Sequence, residues 1–306
     1  MANWTVDDIP DCSGTTVVVT GANSGLGFEA SRALADAGAH VVMACRRLER
    51  GEAARDEIRD RTRGASLSVR ELDLANLDSV RAFAETVTDE FGRVDVLCNN
   101  AGVMAIPRSE TADGFETQLG VNHLGHFALT GLLLESLRAS PTPRVVTQSS
   151  YFHTRGRIDF DDLHGESTYD RWDAYAQSKL ANLLFAYELD RRYGDELVSV
   201  GCHPGYAATN LQRRGPEQLG SQLRLAVVGV ANRLFAQSPT SGALPMLYAV
   251  THPDVDGGDY VGPDGFMNMR GSPERQRSSR RSYDEETAAR LWAVSETLTG
   301  VRYPDP

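Results

Sequence analysis

The stretch Thr16-Val17-Val18-Val19-Thr20-Gly21-Ala22-Asn23-Ser24-Gly25-Leu26-Gly27 decides the fold. Its first five residues are β-branched, which favours a strand. Three glycines follow, and the chain then turns amphipathic and alanine-rich over Leu26–Ala37, which predicts a helix. Gly21 permits a tight turn, Gly25 lets backbone approach a pyrophosphate, and Gly27 allows helix and strand to pack closely. The helix that opens there offers free N–H groups and a positive dipole to phosphate. Gly21, Asn23, Ser24, Gly25, Leu26 and Gly27 are therefore candidate phosphate-loop residues. A glycine cluster alone only punctuates turns; a strand before it and a helix after it make the reading specific.

Outward from this point the same unit repeats. Strands are expected at Thr16–Thr20, His40–Cys45, Ser66–Leu72, Val94–Asn99, Arg144–Ser149 and Leu197–His203. Helices are expected at Leu26–Ala37, Glu49–Arg61, Leu77–Phe91, Asp113–Ala139, Asp173–Tyr193 and Asp284–Leu298. Short connections between alternating strands and helices imply right-handed crossovers. Valine-rich strands without strict alternation fit burial on both faces. The fold class is α/β: one Rossmann-type, doubly wound parallel sheet with helices on both faces, in a single domain over residues 1–306. The alternation breaks after Gly205. A substrate lid inserted at about 206–240 is one reading, and an ordinary pair of surface helices is the other. Arg270–Arg281, with five arginines among Ser, Gly and Pro, reads as a solvated loop.

Composition excludes several classes. The chain has 306 residues, 41% of them hydrophobic and 24% charged, as globular proteins do. A net charge of -11 argues against nucleic acid or an anionic membrane as partner. No apolar run approaches the roughly 18 residues of a membrane span, and the first residues lack a secretory signal pattern. A soluble, cytoplasmic protein without a membrane anchor is expected. Cys12, Cys45, Cys98 and Cys202 show no CxxC spacing and read as reduced, mostly buried thiols. Of the 31 Lys and Arg residues only one, Lys179, is lysine. Salt adaptation and an arginine-rich codon bias both account for that composition.

The second expected strand ends Met43-Ala44-Cys45-Arg46-Arg47. An NAD site wants an acid there for the ribose 2′-OH. This chain offers Cys45 and two arginines, which would clamp a 2′-phosphate instead. NADP(H) is expected over NAD(H), with Arg46 as first contact and Arg47 as second. Asp73, with Leu74 next, follows the third strand, where its carboxylate could accept from an adenine amino group; a solvated turn aspartate is the other reading. In Asn99-Asn100-Ala101-Gly102, small residues allow a flat ring to lie against Asn100, Ala101 and Gly102, while Asn side chains can tie strand ends together.

Tyr175 and Lys179 stand at i and i+4, on one face of a helix. A free tyrosine titrates at about 10, and a neighbouring ammonium favours its phenolate, so proton exchange would move toward neutral pH. Arginine, planar and larger, is no substitute for lysine's compact ammonium beside a ribose. Ser150 closes the fifth strand, where its hydroxyl could hold a carbonyl oxygen beside Tyr175. The hard chemistry would belong to the nicotinamide, with the protein orienting it.

The motifs TGANSGLG, NNAG, Ser150 and YAQSK resemble those of the short-chain dehydrogenases/reductases over essentially Ser13 to Gly300. That resemblance implies Ser150, Tyr175 and Lys179 as catalytic, with Tyr175 the acid/base. It implies Asn122 as the residue that positions a water for a proton relay through Lys179. Pro204, Gly205 and Thr209 would hold the nicotinamide amide. The strings TADGFETQLGVNHLGHFALT and SKLANLLFAYELDRR are similar to the retinol dehydrogenase and WW-domain oxidoreductase branch, which implies NADP and a lipophilic carbonyl or alcohol. Homo-oligomerisation is likewise expected from the family.

Three rival readings compete with this one. His123 and His126 invite a metal, but no third ligand has suitable spacing, and helix packing is the better account; no metal is expected. A serine hydrolase would need a GxSxG elbow, which is absent. A nucleotide-binding regulator without turnover would be expected to have lost Tyr175 or Lys179, and both are present.

Overall fold

The computed structural model describes residues 4–205 and 238–305. Eight strands form one sheet in the order β3-β2-β1-β4-β5-β6-β7-β8. They are β1 (Thr16–Thr20), β2 (His40–Cys45), β3 (Ser66–Glu71), β4 (Val96–Asn99), β5 (Arg144–Gln148), β6 (Val198–Cys202), β7 (Tyr260–Pro263) and β8 (Pro273–Gln276). Neighbours run parallel from β3 through β7, and β8 pairs antiparallel with β7. The order reverses between β1 and β4, the switch point beyond which ligands bind in such sheets.

The helices are α1 (Gly25–Asp36), α2 (Leu48–Arg61), α3 (Leu77–Phe91), α4 (Gly125–Leu132), α5 (Leu134–Arg138), α6 (Arg171–Tyr193), α7 (Pro239–Thr251) and α8 (Glu285–Thr299). Alternate side chains of β1 feed two separate cores. Val17 and Val19 join Met43, Leu34, Ile58 and Met246, under α1, α2 and α7. Val18 joins Val42, Leu97, Phe83, Phe127, Phe185 and Trp292, under α3, α4, α6 and α8. Burial on both faces is why these strands carry apolar residues at every position.

Several features differ from the sequence reading. The helix expected over Asp113–Ala139 is broken: a short turn Thr117–Leu119 leads into a π-helical turn Gly120–Leu124, then α4 and α5. There Gly125 meets the Leu74 carbonyl so closely that a Cβ would stand 2.6 Å from its oxygen, an approach hydrophobic periodicity does not encode. Helix α7 was missed because Pro239, Pro245 and Gly242 interrupt its pattern, although Ser238 caps it and Pro239 occupies a position that tolerates proline. The arginine-rich stretch is not simply a loop, since it contains β8 and a short 3₁₀ turn, Arg280–Tyr283. Of the expected lid, Pro239 and Thr240 begin α7, Ser238 caps it, and 206–237 lie outside the described residues.

Candidate active site

The phosphate-loop residues lie where β1 ends and α1 begins. Gly21 has φ +68° and Gly25 φ +59°, both in the region that disfavours side chains. A Cβ at Gly27 would stand 2.5 Å from the Gly21 carbonyl oxygen and 2.6 Å from Asn100 Nδ2, so only glycine lets α1 enter here. Cys45 underlies the loop. Its buried thiol is pushed up to about 12 by desolvation, and hydrogen bonds from the Ala22 and Asn23 backbone pull the other way. From the sequence Cys45 reads as a buried thiol standing where an NAD site would have an acid, with no contact to the loop implied.

Arg46 and Arg47 follow β2, exposed, and neither has an ion pair among the described residues. The Asp73 carboxylate accepts the Ala75 N–H at 3.0 Å, a turn-forming contact. Leu74 is buried against Gly125.

Thr20 joins the ends of β1 and β4. Its Oγ1 accepts the amides of Asn100 and Ala101, each at 2.9 Å, while Asn100 Nδ2 donates to the Thr20 carbonyl at 2.7 Å. His126 completes this junction, with Nε2 2.9 Å from Thr20 Oγ1 and Nδ1 3.0 Å from the Asn122 carbonyl. A carbonyl only accepts, so Nδ1 carries the proton and Nε2 faces the threonine hydroxyl as acceptor. Burial depresses His126 to about 4, which keeps it neutral. His123 points elsewhere, to Ser295 Oγ at 2.8 Å. Among the described residues no group of three or more His, Cys, Asp or Glu could hold a metal.

Asn122 sits in the π-helical turn. Its side chain accepts from the Val103 amide at 2.8 Å and donates to the Val103 carbonyl at 3.0 Å and to Ser178 Oγ at 2.9 Å. Those three bonds fix its orientation beside Gly102, where a Cβ would meet Asn122 Oδ1 at 3.0 Å and Lys179 Nζ at 3.6 Å. Gly102 thus lets the main chain run close beside Asn122 and Lys179.

Ser150 ends the extended chain after β5 and caps a 3₁₀ turn, Tyr151–Arg155, accepting from the Phe152 amide at 3.3 Å. Tyr175 and Lys179 project from α6, 4% and 3% exposed respectively. Helix α6 begins where Asp170 accepts from Trp172 and Asp173, a side-chain N-cap. Lys179 Nζ donates to the Gln148 carbonyl at 3.1 Å and lies 5.9 Å from the Tyr175 ring centre. Burial lowers Lys179 to about 8. It also pushes Tyr175 up to about 12, with a hydrogen bond to Ser150 as the opposing influence. The sequence leads one to expect Lys179 to bring that phenol toward neutrality; desolvation dominates instead.

On the far side of the cleft, Gly205 has φ +64°, and a Cβ there would lie 2.4 Å from the Met269 carbonyl oxygen. Pro204 precedes it, and Thr209 lies outside the described residues. Thr20, Cys45, Gln148, Ser178 and His126 were not singled out as site residues. Their roles are hydrogen bonds between elements far apart in sequence, which no local motif announces.

No helix among the described residues is long and apolar enough to cross a membrane. The family model for short chain dehydrogenases matches residues 15–220. Human retinol dehydrogenase 13 is 44% identical over 295 residues, covering 95% of this chain and 86% of that protein. Human retinol dehydrogenase 12 is 43% identical over 291 residues, covering 95% and 88%. A crystal structure of an uncharacterised protein from Mycobacterium Paratuberculosis is 45% identical with TM-score 0.80, covering 99% of this chain and 100% of that one. A protein described as an NAD(P)-dependent gluconate 5-dehydrogenase from Beutenbergia cavernae, solved with NADP at low occupancy, is 26% identical with TM-score 0.64, covering 81% and 94%. With the sheet order, the glycine turn and the match over most of its length, this chain belongs to the short-chain dehydrogenase family.

Proposed function

We propose that the protein transfers a hydride between NADP(H) and a lipophilic carbonyl or alcohol. The observation that carries this reading is the meeting of Ser150, Tyr175 and Lys179 beyond the carboxyl end of β5, beside Gly102. The residues present fit a dinucleotide: the glycine turn and the start of α1 suit its pyrophosphate, and the unpaired Arg46 and Arg47 suit a 2′-phosphate. When bound, the nicotinamide supplies or accepts the hydride.

The chain's own groups handle the proton and the orientation. Ser150 Oγ holds the substrate oxygen, and Tyr175 gives it a proton in reduction. A phenol raised to about 12 is fully protonated at neutral pH, the form that reduction needs. Oxidation needs the phenolate, which the Lys179 ammonium favours. Asn122, held by Val103 and Ser178, would position a water for a proton relay through Lys179. Pro204, Gly205 and Thr209 complete the nicotinamide end of this proposal.

The lipophilic part rests on aromatic groups beside the tyrosine. Phe152 meets Tyr175 edge-on at 5.6 Å and stacks on Trp172 at 5.1 Å, and Tyr151 is exposed next to them. The names of the retinol dehydrogenases support an apolar alcohol or aldehyde. A soluble, cytoplasmic homo-oligomer belongs to the same proposal and is tested by fractionation and by mass in solution. The deciding assay is NADPH consumption against a panel of aldehydes and ketones, with Tyr175→Phe alongside. Turnover that falls about 10³-fold in the variant supports the reading. Tight NADPH binding with no turnover of any carbonyl would return the chain to the regulator class.

A further inference from the structure

Ser150 is held from behind by groups that the proton chemistry does not use. Its carbonyl takes the ring Nδ1 of His153 at 2.7 Å and the His153 amide at 3.0 Å. The other ring nitrogen, Nε2, lies 3.0 Å from the amide nitrogen of Ser279. The carbonyl can only accept and the amide can only donate. His153 is therefore the neutral tautomer with its proton on Nδ1, donating toward Ser150 and accepting from Ser279. The ring is 2% exposed, and burial holds it below the usual histidine range. Tyr260 packs edge-on against it at 5.4 Å, backed by the stacked His203.

A second staple runs parallel to the first. Arg281 donates to the Gly156 carbonyl at 3.0 Å. Gly156 sits so tightly on α6 that a Cβ would lie 2.4 Å from the Ala176 carbonyl oxygen and 2.8 Å from Leu180 Cβ. The turn from Ser150 to Gly156 is thus pressed onto the helical turn that carries Lys179. The same C-terminal stretch also grips α6 further along: Tyr187 bonds Ser278 at 2.7 Å and stacks on Tyr283 at 5.0 Å with 6° between the rings.

We infer that His153 is a positioning residue that sets Ser150 against Tyr175, with Ser278–Tyr283 as the anchor it bears on. This rests on the roles given above to Ser150 and Tyr175. It also gives the arginine-rich stretch a purpose: its end braces the serine turn and leaves its exposed arginines in solvent.

The test separates the two halves of the bridge. In His153→Asn the amide NH₂ stands where Nδ1 was and still donates to Ser150. In His153→Gln the longer side chain reaches the Nε2 position and accepts from Ser279, while the Ser150 carbonyl loses its side-chain donor and keeps only the main-chain N–H of residue 153. His153→Ala loses both. Expected is a fall in kcat of about 10- to 100-fold for Gln and Ala, the usual cost of a misplaced reacting group, with Asn within about 3-fold of wild type. The Kd for NADPH stays at the wild-type value in every variant, which also certifies folding. Equal losses in Asn and Gln, or losses that simply follow melting temperature, overturn the inference. A readout without turnover is amide exchange at Phe152, whose N–H bonds Ser150 Oγ. It is expected to speed up in Gln and stay slow in Asn, and the reverse order overturns the inference even if no carbonyl is reduced. Failure of wild-type turnover alone would count against the proposed reaction, not against this bridge. Should the alanine variant not fold, the Asn–Gln comparison decides by itself.

Discussion

Lys179 Nζ donates to the main-chain carbonyl of Gln148 at 3.1 Å, and Asn182 Nδ2 shares that carbonyl at 2.9 Å. The ammonium is thereby held at a fixed height beside Tyr175, at the cost of burying a charge. Its folded pKa of about 8 lies below the ordinary 10.5, so the unfolded chain binds the proton more tightly between these values. Burial of Lys179 should therefore destabilise the fold most below pH 8, and the penalty should fade as pH rises toward 10.5. Lys179→Met is expected to be more stable than wild type by up to about 3 kcal/mol at pH 7, with the gap closing at pH 10. Urea unfolding at both pH values measures it. A variant less stable at pH 7 would mean that the hydrogen bond outweighs desolvation.

Acid should act on a different set. His123, His126 and His203 are buried and depressed to about 3, 4 and 4. The unfolded chain takes up their protons near 6.5 and the folded chain far lower, so stability is present above 6.5 and lost as pH falls toward 4. Each can contribute up to about 3 kcal/mol to that loss. Urea midpoints from pH 7.5 to 4.5 should fall steeply, and less steeply in His126→Gln. A flat profile over this window would contradict neutral burial of these rings.

The cofactor preference turns on Arg46. Arg46→Ala is expected to raise the Kd for NADPH about 10-fold or more and leave that for NADH nearly unchanged, as loss of a charge-assisted hydrogen bond requires. Fluorescence titration with both nucleotides gives the answer. Equal shifts for the two would take Arg46 out of the 2′-phosphate site.

Gly27→Ala probes the entry of α1. The new methyl would overlap the Gly21 carbonyl and Asn100 Nδ2, so the loop and the β4 end must both move. A loss of about 1–3 kcal/mol in stability is expected, together with weaker NADPH binding. Thermal melts with and without nucleotide separate the two effects. Unchanged binding would show that the strand end yields and the phosphate loop does not.

How much of this was legible in the sequence follows from what each element buries. β1 and β2 were bounded to the residue, because a strand covered on both faces must be apolar throughout. β7 (YVGP) and β8 (PERQ) carry no such signature: the first is short and contains Gly and Pro, and the second is a polar strand at the edge of the sheet among the described residues. The break at Gly120–Leu124 escaped notice because a π-turn keeps helix-like composition while shifting every later residue around the axis. At the site, Ser150, Tyr175 and Lys179 were readable because their types and spacing are chemically constrained. Thr20, Gln148 and His153 were not, because a hydrogen bond to backbone asks only for a donor or acceptor at the right place. The direction of the Tyr175 shift was misjudged for a related reason: spacing reveals a charge nearby but not how dry its surroundings are.

The lysine count has a practical side. Lys179 is the sole side-chain amine in the sequence, and it is buried. An amine-selective reagent can label this side chain only during openings of the fold around it. Its labelling rate is thus a clock for breathing of the fold around α6, readable by mass against a single other amine, the α-amine of the chain, and any small molecule bound beside Gly102 should slow it.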